Sequence, residues 1–194
     1  MGEATTLEEI GEETALAKPM TGIKGLVGLT TDDLDMPYVY LVREGSKHAL
    51  LKNGKKAEAG SYYHSAKKEA KTDLEVIVAV AVKGEGKKGG EGEGSEDMVT
   101  VWRTIMLPLD NMTSPFSMSF KGMNLWYGWK PLMNLLVAEQ IDNLPGKVLK
   151  LGFRMATTKT GNSYEVPEIS IVRDATKEEL ATAESAASRF SVEG

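Results

Sequence analysis

The sequence has no cysteine. That excludes a disulfide framework, Cys-ligated zinc, an iron–sulfur cluster and a thiol nucleophile. It has two histidines, His48 and His64, too few for a poly-His metal centre. Long apolar runs are missing as well. The longest is Val76–Val82, seven residues, enough for a buried strand and far short of the ~20 that a membrane helix needs. The opening residues Met1–Thr6 are not apolar and are not read as a secretory leader. Gly2 and Thr6 fit a myristoylation pattern, but no polybasic second signal follows. No Gly-Lys-Ser/Thr triplet and no Gly-x-Ser-x-Gly occur, so neither a phosphate-cradling P-loop nor a nucleophile elbow is present. Gly84–Gly89 matches G-x-G-x-x-G, yet further glycines follow it where a dinucleotide site needs a helix. The expectation is a soluble, cytoplasmic, non-enzymatic chain with no cofactor and no membrane partner.

What is present is one domain's worth of chain with unevenly placed charge. A length of 194 residues suits a single domain that buries roughly 70% of its unfolded surface. The net charge is −5, which argues against a polyanion as partner until its distribution is examined. Residues 1–35 carry two basic and eight acidic side chains, and residues 173–194 three basic and five acidic. Residues 36–172 carry 18 basic and 15 acidic. Within that body, residues 43–71 hold eight basic side chains against three acidic. A polyanion responds to this local excess, because screening cuts off interactions beyond ~8–10 Å. The plain alternative is a solvated Lys-rich surface.

The order of elements is strand-rich. Residues 1–35 read as an acidic extension, with a short helix ended by Lys18-Pro19 and an acidic connector Thr30–Asp35. Strands are expected at 37–42, 61–66, 74–83, 98–107, 116–121, 147–155 and 164–172. A flexible Gly-rich loop is expected at 84–94. Asn124 is a plausible helix cap, and Leu125, Trp129, Leu132 and Leu136 recur on one helical face. Pro131 either bends that helix or starts it. Pro167 restricts its strand to an edge or a bulge. Thr176 and Glu179 form a capping box for a last, Ala-rich helix with little apolar face, expected as a surface tail over 173–194. The fold class is therefore mainly β with one packed helix. An OB-fold-like (oligonucleotide/oligosaccharide-binding) five-stranded barrel, β-β-β-α-β-β, over 36–172 with N- and C-terminal extensions fits this order. A β-sandwich with one inserted helix fits nearly as well.

Aromatics beside basic residues carry the functional signal, because single strands are held by a positive groove and by side chains on which bases stack. Tyr62 and Tyr63 lie in the basic stretch near Lys67 and Lys68. As neighbours on a strand they face opposite sides, so at most one is expected in the core. Trp102 shares a face with Thr100, Thr104 and Met106, away from Val99, Val101, Ile105 and Leu107, and is expected to be exposed. Arg103 interrupts that second face, so a bulge is expected there. Trp126 flanks the helix start, and Tyr164 follows a turn that carries Lys159. Lys150 and Arg154 share one strand face and suit phosphate contacts. For each of these residues the competing reading is ordinary packing or solvation. Trp129 and Phe153 are assigned to core faces.

Three stretches together resemble a known family. They are Met36–Val42 with Ser46 and Gly60–Ser65, Phe116–Gly122 running into the Trp-rich helix up to Leu136, and Gly161–Pro167. In order and spacing they resemble a family of phage and mobile-element proteins with an oligonucleotide-binding-type fold that bind single-stranded DNA. The resemblance implies coating of single strands during DNA replication or recombination, in the host-cell cytoplasm for a phage protein. It also implies acidic ends that recruit replication or recombination proteins. Homo-oligomers are compatible with this reading. A viral structural or assembly protein with a β-rich domain is the alternative.

Overall fold

In the computed structural model, residues 36–46, 48–87, 98–158 and 161–190 are described. The acidic extension 1–35, most of the Gly-rich loop and Lys159 lie outside the described residues. The described chain is mainly β, with eight strands in two sheets and two α-helices. The small sheet runs β1 (Val39–Leu41), β2 (Tyr62–His64) and β3 (Glu69–Lys71), in that spatial order. The large sheet is built from β4 (Leu74–Lys87), β5 (Met98–Pro108), β6 (Phe116–Phe120), β7 (Lys147–Thr157) and β8 (Ser163–Asp174). Its order is β6-β5-β4-β7-β8, and every pairing is antiparallel. A bridge between Tyr38 and Ser117 ties the entry to β1 to the edge strand β6. The two sheets do not close into one barrel.

β4 explains the seven-residue apolar run. It is the middle strand, and over Val76–Ala79 both its faces are covered, so this part needs no polar alternation. Val76 and Val78 enter the main core with Met106, Phe116, Leu149 and Leu151. Ile77 and Ala79 face the other way, toward Leu107, Val148 and helix α2 (Lys177–Phe190). The helix is not the loose tail expected of it. Ala183 and Ala186 are buried against the sheet. Alanine methyls make a weak hydrophobic stripe, but their small size lets a helix seat closely on strands. The capping box does form: Thr176 N donates to Glu179 Oε2 at 2.8 Å, and Glu179 N to Thr176 Oγ1 at 3.2 Å. The glycine run also differs from expectation at its start, since residues 84–87 continue β4.

The inserted helix lies on the core face of the large sheet. A five-residue π-helical turn, Leu125–Trp129, runs straight into α1 (Lys130–Ala138). Pro131 therefore sits in the first turn of α1, where a missing N–H is tolerated. Trp129, Leu132 and Leu136 are buried, each aliphatic side chain contributing roughly 1.5–3 kcal/mol. Asn124 does not cap this helix with its side chain. Its Oδ1 accepts from Arg43 Nη2 at 2.6 Å. Gly128 lets the turn approach β8: a Cβ there would lie 2.9 Å from the Pro167 ring. Pro167 itself is on the edge strand, as its missing donor requires.

Candidate nucleic-acid interface

The strand bulge falls on β4, not on β5 beside Arg103. Val78 pairs with Met106 but Val80 pairs with Ile105, so Ala79 is the extra residue. A bulge shifts every following side chain to the other face. Simple alternation from Val76 would send Lys83 to the α2 side. The bulge returns it to the core side, directly opposite Trp102, which in turn opposes Phe120 on β6. The same geometry reverses the expectation for Trp102. Its face is the core face, because Thr104 and Met106 beside it are buried. Trp102 is half-buried and packs against Trp129, ring centroids 6.0 Å apart.

Past the end of the packed core this face opens into a cleft of about 530 Å³. Lys83, Thr100 and Trp102 line it from the β4–β5 hairpin. Trp126, Trp129 and Lys130 line it from the helix. Trp126 is 61% exposed. Lys130, one helical turn on, holds its ammonium 3.8 Å from the Trp126 ring centroid. No carboxylate lines the cleft, and among the described residues none pairs with Lys83 or Lys130. The nearest acid along the strand is Glu85, on the same face as Lys83. Stacking a base on an indole is worth ~1–3 kcal/mol, and an exposed cation–π contact ~0.5–1. On these magnitudes a stacked base would displace Lys130 from the Trp126 face.

The other sequence candidates do not converge on this cleft. Tyr62 and Tyr63 are both buried, 1% and 6% exposed. The expectation that one of them would be free fails because the small sheet is covered on both faces. Tyr62 enters the main core and donates to Gly152 O at 2.6 Å. Burial, with Glu168 nearby, raises its phenol above the ordinary tyrosine range. Tyr63 packs with Val42, Ala49 and Ala57 and donates to Leu50 O at 2.7 Å. Lys68 is exposed and holds a left-handed backbone, φ 51°. Lys67 is half-buried beside His64, whose Nδ1 accepts from Lys67 N at 3.3 Å. Burial first, and then Lys67, lower the His64 pKa below its ordinary value.

Arg103 is exposed and points to the opposite sheet face from Trp102. Lys150 is paired with Asp73 at 2.8 Å, so its ammonium already has an acidic partner. Arg154 answers a helix problem. Pro131 has no N–H for the Tyr127 carbonyl, and Arg154 Nη2 makes a long bond to it at 3.4 Å. Tyr164 has the Arg43 guanidinium 6.0 Å from its ring. Phe153, assigned to the core, is 40% exposed and lies across Gly60, which has φ +82° and no room for a side chain. Trp129 is fully buried, on the core face assigned to it.

No protein-family model, curated protein or solved structure matches this chain. Function must be argued from the cleft. Of its three tryptophans, sequence spacing marks Trp102 and Trp126 as stacking candidates and assigns Trp129 to the core; it marks neither lysine. A signal existed for Lys130, which stands four residues after Trp126 in a helical stretch. None existed for Lys83, whose face depends on the bulge. No described helix is long and apolar enough to cross a membrane.

Proposed function

We propose that this protein binds single-stranded DNA, largely without sequence preference, as a non-enzymatic coat in phage-type DNA replication or recombination. The observation that carries the reading is the cleft: two accessible indoles and two lysines with no acidic partner among the described residues share one opening, with no carboxylate in its lining. Stacking platforms plus unneutralised cations are the two components that single-strand binders combine. The helix inserted between β6 and β7 also suits an open relative of the oligonucleotide-binding barrel.

The test is titration of the full chain with a fluorescent oligo-dT of about 30 nucleotides at two salt concentrations, beside duplex of equal length. Expected is salt-sensitive binding to the single strand and much weaker binding to duplex. No binding at low salt, with or without residues 1–35, overturns the reading.

One observation favours a second reading, a structural or assembly protein. Among the described residues, the second face of the large sheet beyond α2 carries accessible apolar side chains, with Val82 57% exposed and Val80 and Ile105 half-buried. Salt-insensitive self-association by light scattering, without an oligo-dT response, would select it.

A further inference from the structure

Resting on the reading of the cleft as a single-strand site, we infer that the same strand runs on over the π-helical turn to a second station, where Arg43 and Arg154 take its phosphates and Tyr164 stacks a base.

Trp126 and Tyr127 are neighbours on that turn, and they serve different surfaces. Trp126 lines the cleft and Tyr127 does not. Tyr127 is half-buried, with the Arg154 guanidinium 5.7 Å from its ring centroid. On the β7–β8 hairpin Arg154 pairs with Val166, and Ala156 with Tyr164. Arg154 and Tyr164 are thus diagonal neighbours on one face, ~7–8 Å apart at the backbone and within reach of long side chains. Tyr164 in turn has the Arg43 guanidinium 6.0 Å from its ring. Arg43 Nη2 donates to Asn124 Oδ1 at 2.6 Å, which leads back to the residue just before the turn. Two tyrosines and two arginines therefore alternate around one small surface. Its rim begins one residue from the exposed indole of the cleft.

The charge of this surface points to an anion. Arg43 Nε donates to Glu165 O at 3.1 Å, and Arg154 Nη2 to Tyr127 O at 3.4 Å. These acceptors and Asn124 Oδ1 are neutral, so the hydrogen bonds leave both positive charges in place. Among the described residues neither guanidinium has a carboxylate partner. The Glu165 side chain lies on the other face of β8 from Tyr164, and its Oε2 accepts from Glu44 N at 3.4 Å. Neutral side chains would suffice to clasp the π-turn to the hairpin. Two arginines in one cluster instead repel each other, and a phosphate between them removes that repulsion. The planar guanidinium fork also matches phosphate oxygens. Tyr164 is 37% exposed, which leaves ring surface for a base.

The test titrates the full chain with fluorescent oligo-dT of about 12 nucleotides, within single-domain site sizes, over a series of salt concentrations. Wild type is compared with Trp126→Ala, Arg154→Gln, Arg154→Lys and Tyr164→Leu, all at exposed positions, and urea unfolding checks that each variant folds. Arg154→Gln should lower the salt slope by about 0.7, one phosphate's worth for a single strand. Arg154→Lys should keep the slope, because it keeps the charge. Tyr164→Leu should weaken binding ~5-fold or more with the slope unchanged, the loss of one stacked base. A purely structural clasp would lower the stability of Arg154→Gln and leave its slope alone. Wild-type affinity and slope in Arg154→Gln and Tyr164→Leu, with binding weakened in Trp126→Ala, overturns the second station and leaves the cleft standing. Weakened binding in those two variants with none in Trp126→Ala overturns the path through the cleft. No binding by the wild-type chain at low salt overturns the single-strand reading itself, and the station with it.

Discussion

The small sheet and the Trp cleft have similar ingredients and opposite outcomes. Each combines adjacent aromatics with lysines: Tyr62 and Tyr63 among Lys52, Lys67 and Lys71 in one, Trp102 and Trp126 with Lys83 and Lys130 in the other. In the small sheet both rings are sealed and each hydroxyl is bound to a backbone carbonyl. Two of its lysines are also engaged, Lys52 with Glu69 and Lys71 with Asp110. In the cleft the rings reach the surface and, among the described residues, the lysines have no acidic partner. Composition is shared; cover is not. The small sheet has a second layer on each face, whereas the β4–β5 hairpin runs past the helix that covers its base.

That contrast is broken most directly by removing a ring from each region. Tyr62→Ala should cost ~3–5 kcal/mol of stability, since it empties a fully packed site and orphans the Gly152 carbonyl. Trp126→Ala, at an exposed position, should change stability by less than ~0.5 kcal/mol. Urea unfolding of both variants measures this, and equal losses would erase the distinction. Binding should reverse the order. Trp126→Ala should weaken oligo-dT binding by ~1–3 kcal/mol, while Tyr63→Phe should leave it unchanged in a fluorescence titration. Tyr63→Phe should instead lower stability by ~1 kcal/mol through the lost bond to Leu50 O.

Charge supplies the next comparison. Lys130→Gln should reduce the salt slope of oligo-dT binding by about 0.7, one phosphate's worth for a single strand. Lys150→Gln should leave the slope alone, because Asp73 already holds that ammonium. The smallest effect lies far from both regions, at the base of α2. Arg173 and the Thr176 backbone N–H hold the Glu179 carboxyl at about 2, below its ordinary 4.5. A depressed acid stabilises the fold above its unfolded pKa. This contribution is therefore complete above about pH 4.5 and fades as pH falls toward 2. Glu179→Gln should flatten that part of the acid-denaturation curve, which circular dichroism against pH will report.

Much of the fold was legible along the chain. Periodicity located seven of the strands, since alternation and β-branched runs are local signals. β3 was missed because Glu69–Lys71 is a three-residue edge piece with no apolar pattern. The capping box was legible because its two partners are three residues apart. The helix across Pro131 was legible by its apolar face, but the π-turn that carries it past the proline was not. The seating of α2 was not legible, since Ala183 and Ala186 become core only when a sheet lies beneath them.

The sequence by itself determined a β-rich chain with one amphipathic helix and no thiol or poly-His chemistry. These follow from residue type and local spacing. Only the tertiary structure decided which aromatics are free. One extra residue at Ala79 turns Lys83 toward Trp102, and the second layer over β2 seals both tyrosines. Side-chain direction on a strand has period two, so a single bulge reverses it. Burial depends on what another part of the chain, distant in sequence, brings against each face.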